Sequence, residues 1–209
     1  GGLSRDLDPD FPRRAREVLG RLKPRWNEFE GLIEDNVIFR ERARGVGVLT
    51  VAQCRAWGVT GPTLRGSGVA YDVRKAEPYG AYGRYEFDIP TRQEGDCLAR
   101  YLIRIDEIKQ SLRIIDQCLH EMPDGPVMAK LPRLLRPRPG RAFGAIEGPR
   151  GLYSVYAMSD GTDQPFRFRI HDPSFIHLQS FTTLIPGHLI ADFMAINASL
   201  DPIMGGVDK

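Results

Sequence analysis

The chain has 209 residues, enough to bury a sizeable core as one domain or as two closely packed ones. Apolar residues make up 42% and charged residues 27%, a globular rather than a disordered balance. A formal net charge of +2 gives no reason to expect nucleic acid or an anionic lipid surface as a partner.

No apolar run approaches the roughly 18 residues of a membrane span. The most apolar tract, Leu184 to Leu200, is interrupted by Pro186, Gly187, His188, Asp192 and Asn197. Gly1 to Asp10 has no basic-then-apolar leader, and Gly1 is not a natural initiator, so sequence is expected upstream. Three cysteines, Cys54, Cys97 and Cys118, are too widely spaced for a zinc or iron–sulfur site built by this chain alone. They suit a reducing compartment, with Cys97 and Cys118 expected in the core.

Along the chain, Phe11 to Asn36 reads as a helix: Val18, Leu22, Trp26, Phe29 and Ile33 recur at three- and four-residue steps. Pro24 is expected to bend or divide it. Thr50 is placed to cap a helix over Val51 to Trp57. Gly58 to Gly68 has turn chemistry, and Tyr71 to Ile89 is aromatic and irregular.

Asp96 to His120 is the strongest helix. Leu98, Tyr101, Leu102, Ile105, Ile108, Leu112, Ile115 and Leu119 form one stripe, with Arg100, Arg104, Glu107, Lys109 and Arg113 on the rest. Pro123, Asp124 and Gly125 end it. Lys130 to Arg141, with five basic residues and no acid, reads as an extended, solvated connector. From Ala142 to Ile170 the period changes to alternation, broken by turns at Gly148–Gly151 and Ser159–Asp163; this predicts a three-stranded antiparallel meander. A helical region over Ser174 to Ser199 precedes the tail from Asp201 to Lys209.

Catalytic signatures are missing. Gly45-Val46-Gly47 lacks the third glycine of a dinucleotide fingerprint, and Ser67 stands where a phosphate loop needs lysine. His120, His171, His177 and His188 show no metal-binding spacing and are expected at the surface or in caps. Asp72, Arg74 and Lys75 read as structural ion pairs.

More informative is the order of several segments. These are Asn36-Val37-Ile38-Phe39-Arg40-Glu41-Arg42, Arg44-Gly45-Val46-Gly47, Trp57 to Gly68, Tyr71 to Tyr79, Gly95 to Leu102, Ala145 to Gly151, Ser159-Asp160-Gly161 and Pro165-Phe166-Arg167. In this order they resemble the D-type subunit of NADH:quinone oxidoreductase (respiratory complex I), which is related to the large subunit of [NiFe] hydrogenases, in its C-terminal half. The resemblance runs from Gly1 to Lys209.

It implies an α+β, mainly α fold: a helical bundle of the [NiFe]-hydrogenase large-subunit type, with a small antiparallel sheet inserted before the C-terminal helices. The expected parts are a helical region over 1–141, the sheet over 142–173, and helices with a tail over 174–209, as one compact domain lacking the subunit's N-terminal half. Hydrogenase tails read Asp-Pro-Cys-x-x-Cys and hold the metal; here Asp201-Pro202 is followed by Ile203 and Gly206 at the thiolate positions, so no metal is expected.

The resemblance further implies a quinone-side subunit of a proton-translocating oxidoreductase, with quinone as substrate and NAD and iron–sulfur clusters in partner subunits. Partners would be the terminal [4Fe–4S] subunit and a C-type partner, at the cytoplasmic or matrix face of an energy-transducing membrane. Asp201 is the candidate proton relay, and Ile203, Met204, Gly206, Lys209 and Arg42 the candidate quinone cavity. The family pattern has an acid where Gly206 stands and an arginine where Lys209 stands, and its connector is longer than Met128 to Arg141. Two alternatives remain open: a related oxidoreductase with ferredoxin or another donor, and an assembly subunit without a working quinone site.

Overall fold

The computed structural model describes residues 2–208, the side chains of residues 23, 27 and 29 excepted. Helix α1, Phe11–Phe29, carries Pro24 inside it and passes into a short π-helical segment at Glu30–Glu34. The proline therefore does not divide the helix: it removes one N–H, and the ladder resumes on both sides. Helix α2 (Val37–Ala43) is capped by Asn36, whose side chain accepts from the Phe39 N–H. Thr50 caps α3 (Val51–Trp57) as its sequence predicts, in a reciprocal box with Gln53, and Gly58 closes the helix in the left-handed conformation.

Gly58 to Gly68 is not an exposed turn. Gly61–Gly66 forms a short helix, α4, every residue of which is buried. Gly61 has φ +69°, and a Cβ there would lie 2.4 Å from the Cα of Gly151. Two glycines therefore let the sheet's hairpin touch the backbone of α4, a tertiary contact that local turn chemistry does not reveal. After the single-turn helix α5 (Val73–Ala76) and a 3-10 turn at Tyr82–Arg84 comes the long helix α6, Cys97–His120. Asp96 caps it, one carboxylate oxygen accepting from Ala99 N at 2.7 Å and the other from Gly45 N at 2.7 Å.

The stripe predicted for α6 holds in part: Leu98 and Leu119 are buried and Tyr101, Leu102, Ile105 and Leu112 half-buried. Ile108 and Ile115 are exposed, whereas Ile103 and Arg100 are fully buried. Burying Arg100 is possible because its guanidinium is met by Gly95 O at 2.8 Å, Ser199 Oγ at 2.9 Å and Cys97 Sγ at 3.3 Å. Helix α1 packs along α6, and Arg16 donates to the Leu119 carbonyl at 2.7 Å, satisfying a helix C-terminus.

Residues 128–144 are exposed and lead into the sheet. Strands β1 (Gly140–Gly148), β2 (Gly151–Ser159) and β3 (Arg167–His171) form an antiparallel meander in the order β1-β2-β3. The register pairs Gly148 with Gly151 across the Pro149-Arg150 turn. The final helical region is divided into α7 (Pro173–Gln179), α8 (Phe181–Leu184), α9 (Ile190–Leu200) and the one-turn α10 (Met204–Val207). The mainly helical α+β class read from the sequence is the observed one.

The core joins Leu49, Cys54, Val59, Leu64, Cys97, Leu98, Leu184, Ile196 and Leu200, from helices and connecting loops far apart in the chain. Each fully buried aliphatic side chain here contributes about 1.5–3 kcal/mol. Cys54 and Cys97 are buried and Cys118 is only half-buried, so the expectation of Cys118 in the core gives way to Cys54. No helix of the described residues is long and apolar enough to cross a membrane.

Candidate functional site

Helix α9 runs into the tail through Asp201, which adopts the left-handed conformation (φ 52°) at the helix C-cap. Few non-glycine residues sit there; a short polar side chain such as aspartate is among the tolerated ones. Arg150, at the β1–β2 turn, holds Asp201 twice. Its Nη2 lies 3.0 Å from the carboxylate, and its Nε donates to the Asp201 carbonyl. Two residues on, Ile203 N donates to the hydroxyl of buried Ser174 at 3.2 Å. The tail is thus pinned by a hairpin on one side and α7 on the other, while Ile203 (46% exposed) and Met204 (62%) lie open.

Two cavities flank this turn. The first, about 360 Å³, is lined by Asp201 together with Arg65, Arg74, Arg104, Glu107 and Glu147. Arg65 is 1% exposed and sits beneath it, with Nε 2.5 Å from Glu107, Nη1 2.8 Å from Glu147 and 2.9 Å from the Tyr71 carbonyl. Burial by itself would make the Arg65 guanidinium easier to deprotonate, but Glu107 and Glu147 raise its pKa overall. Burial raises the Glu147 pKa, with Arg65 opposing. Asp72 is also pushed up by burial, yet Arg74 at 2.6 Å holds it below the ordinary range. Lys75 forms no ion pair among the described residues; its ammonium sits 4.5 Å over the Phe87 ring, while Arg74 pairs with Asp72.

Arg104, one turn after Arg100 on α6, faces the same cavity. Its Nη1 donates to the Arg100 carbonyl at 2.8 Å, while Nε and Nη2, buried, meet no hydrogen-bond acceptor among the described residues. Burial pulls its pKa down and Asp201 opposes that. The second cavity, about 670 Å³, lies across the tail and is lined by Gly206, Val207, Asp172, Phe175 and the strand residues Arg167, Arg169 and His171.

A family model described as the respiratory-chain NADH dehydrogenase 49 Kd subunit matches residues 1–139 and 133–209. The chain belongs to this 49 Kd subunit family. Among its relatives are D-type subunits of NADH-quinone oxidoreductase. That of Solibacter usitatus (the second of its kind there) is 41% identical over 209 residues, and that of Syntrophobacter fumaroxidans 44% over 210. The second one of Opitutus terrae is 45% identical over 210 residues. Each alignment covers all of this chain and 56%, 56% and 53% of the relative, so the chain spans a little more than half their length.

Within this 49 Kd-family chain the predicted site residues are not all brought together. Asp201, Ile203, Met204 and Gly206 share the tail, but Asp201 lines the first cavity and Gly206 the second. Arg42 is elsewhere: it pairs at 3.0 Å with Asp192, in the first turn of α9, whereas Asp201 closes the other end of that helix. Asp192 and Asp201 are nine residues apart, about 14 Å along the helix axis, so the Arg42 ion pair lies away from the tail turn. Lys209 lies outside the described residues. Gly206 does not leave its wall without a carboxylate, because Asp172 places one there.

Periodicity misses two groups. It puts Arg104 on the solvated side of α6, although the tail and β1–β2 turn cover it. His177, expected at the surface or in a cap, is 0% exposed. It meets the Thr60 backbone, neither ring nitrogen completes a well-formed hydrogen bond among the described residues, and burial lowers its pKa to about 4. Arg100 and Arg104 add to that lowering and Asp172 opposes it. No spacing rule marks either residue; only the packing of α6 and α7 against distant segments buries them.

Proposed function

We propose that the tail and the cavities beside it form one wall of a site where quinone is reduced. In this reading the whole protein is the quinone-side subunit of a proton-translocating NADH:quinone oxidoreductase. It would sit beside a terminal [4Fe–4S] subunit and a C-type partner, at the cytoplasmic or matrix face of an energy-transducing membrane. NAD and the iron–sulfur clusters would belong to partner subunits.

The observation that carries this reading is Arg104, whose buried Nε and Nη2 meet no hydrogen-bond acceptor among the described residues, on a wall shared with Asp201. Buried donors without partners are costly, about 1–3 kcal/mol each, and a quinone carbonyl oxygen is an acceptor of the required kind. Ile203 and Met204 add apolar wall for the ring or its tail. Quinone reduction also consumes protons, and Asp201, held by Arg150, is the acid that the tail contributes to that wall. The uncovered face of α9, where Ile190 is 94% exposed and Leu189 and Met194 are open beside it, supports assembly with further protein.

Asp201→Asn tests this directly, because asparagine also tolerates the left-handed cap and leaves the fold in place. In the assembled complex, NADH:quinone turnover should fall by about fivefold, roughly 1 kcal/mol. Reduction of an artificial acceptor that takes electrons upstream should be unchanged. Ile203→Met should alter quinone and inhibitor affinity with little change in charge or stability. If both acceptors instead fell together, in step with a lower amount of complex, Asp201 would be a helix cap and the reading would be wrong.

A further inference from the structure

The chain's small net charge of +2 conceals an uneven distribution. Lys130, Arg133, Arg136 and Arg138 in the connector, and Arg141, Arg167 and Arg169 on the sheet, are all exposed. None of these seven forms an ion pair among the described residues. The acids of the same region are mostly committed elsewhere. Glu147 pairs with buried Arg65, Asp160 accepts from Thr162 at the β2–β3 turn, and Asp172 caps α7. Asp163 lines a cavity of about 400 Å³ with Arg138 and Arg141, one carboxylate beside a field of cations.

The sheet sorts three of the cations onto one face, because directly paired residues of an antiparallel sheet point the same way. Met158 lies opposite Arg141 on one side and Arg167 on the other, and Tyr156 opposite Phe143 and Arg169. Arg141 and Arg167 are two strand spacings apart, about 10 Å. The face thus sets three guanidinium groups around Met158, Tyr156 and Phe143, the last 67% exposed. The connector adds Leu131, Leu134 and Leu135, each more than half exposed and interleaved with its cations. Pro132, Pro137 and Pro139 keep it out of helix and sheet, so it can lie flat along a surface.

Unpaired like charges repel, and exposed leucines order water around them; an anionic surface with an apolar layer beneath it relieves both. A protein partner fits less well. Lysine is depleted at protein interfaces and leucine under-represented among their hot spots, and these cations spread over a connector and a sheet face rather than around one groove. We propose that the connector and this face of the meander dock on an anionic lipid bilayer, with the basic side chains on headgroup phosphates and the three leucines and Phe143 at the boundary of the acyl chains. The connector's backbone, without a hydrogen-bonded ladder of its own, keeps the contact at headgroup depth. No tail residue takes part, so the proposal is independent of the quinone reading.

The test sediments the 209-residue chain with vesicles of phosphatidylcholine and phosphatidylglycerol in equal parts, and with vesicles of phosphatidylcholine alone. The chain should bind the first and not the second. Binding should weaken as salt rises from about 0.1 M to about 1 M, where the screening length falls from about 10 Å to about 3 Å. Each basic side chain near such a surface strengthens binding about fivefold, so Arg133→Gln, Arg136→Gln and Arg138→Gln together should weaken it about 100-fold. Leu134→Ser with Leu135→Ser should weaken it about tenfold and leave the salt dependence in place. Arg21→Gln with Arg25→Gln, removing two exposed cations of α1, should change it less than about twofold. All these side chains are exposed, so thermal unfolding should match the parent in every variant. No binding to the anionic vesicles at low salt, undiminished binding by either connector variant, or an equal loss in the α1 variant would overturn the proposal. So would polyglutamate binding in solution as tightly as the vesicles, which would make the partner an acidic protein segment.

Discussion

Arg65 with its carboxylates and Arg150 with Asp201 line or border one cavity and use one chemistry, yet their settings differ. Arg65 is almost wholly buried and touches Glu107, Glu147 and a carbonyl, binding α4, α6 and β1 into one unit. Asp201 is nearly half exposed, at the end of a helix, with one arginine. An exposed pair contributes about 0–1 kcal/mol, whereas breaking a buried one strands charges and costs about 3–5 kcal/mol. The difference assigns the two regions different work. The buried cluster holds the scaffold rigid, and the tail turn, whose ion pair is partly exposed, tolerates a change of charge at little cost to folding.

Breaking the buried member should give the largest effect. Arg65→Ala should lower the unfolding free energy by about 3–5 kcal/mol, since Glu147 and Glu107 lose their counter-charge. Urea unfolding of the purified protein measures this, and a loss below about 1 kcal/mol would place the cluster in the same class as the tail.

A second, smaller effect concerns pH. His177 has a folded pKa of about 4 against an ordinary 6.5, so the unfolded chain binds its proton more readily. Its contribution is intact above pH 6.5 and is lost as pH falls from there towards 4, in total about 3 kcal/mol. His177→Leu should flatten the dependence of stability on pH across that window. An unchanged slope would mean that the ring is hydrated or paired in the folded state.

The smallest effect sharpens the contrast from the other side. Met204→Ser, in the open tail, should change stability by less than about 0.5 kcal/mol. Thermal unfolding checks it, and a loss near that of Arg65→Ala would show the tail to be part of the scaffold.

Much of the architecture was legible along the chain. Thr50 announces the start of α3, the alternation from Ala142 to Ile170 announces the meander, and Pro123 to Gly125 ends α6. The tail was singled out as a candidate site only through its resemblance to a known family. Arg104, His177 and Asp172 were not. The hydropathy of a single helix assumes that charged residues face water, and that assumption fails where a distant segment supplies the partners. Asp172 looks only like a helix cap, and Gly206 only like a flexible residue, until α7 and α10 are brought side by side.

The sequence by itself determined α1, α3, α6 and the helical character of the segment before the tail, the strand order of a meander with tight turns, the membership of the tail in a recognisable pattern, and the lack of a thiolate pair at its end. These depend on neighbours within a few residues or on the linear order of segments. Only the tertiary structure decided that α4 is buried rather than a loop, that Arg42 and Asp201 lie at opposite ends of α9, and that a carboxylate from α7 fills the space at Gly206. Those outcomes depend on which surfaces meet, and burial, desolvation and close approach are properties of pairs of segments that no single stretch of sequence carries.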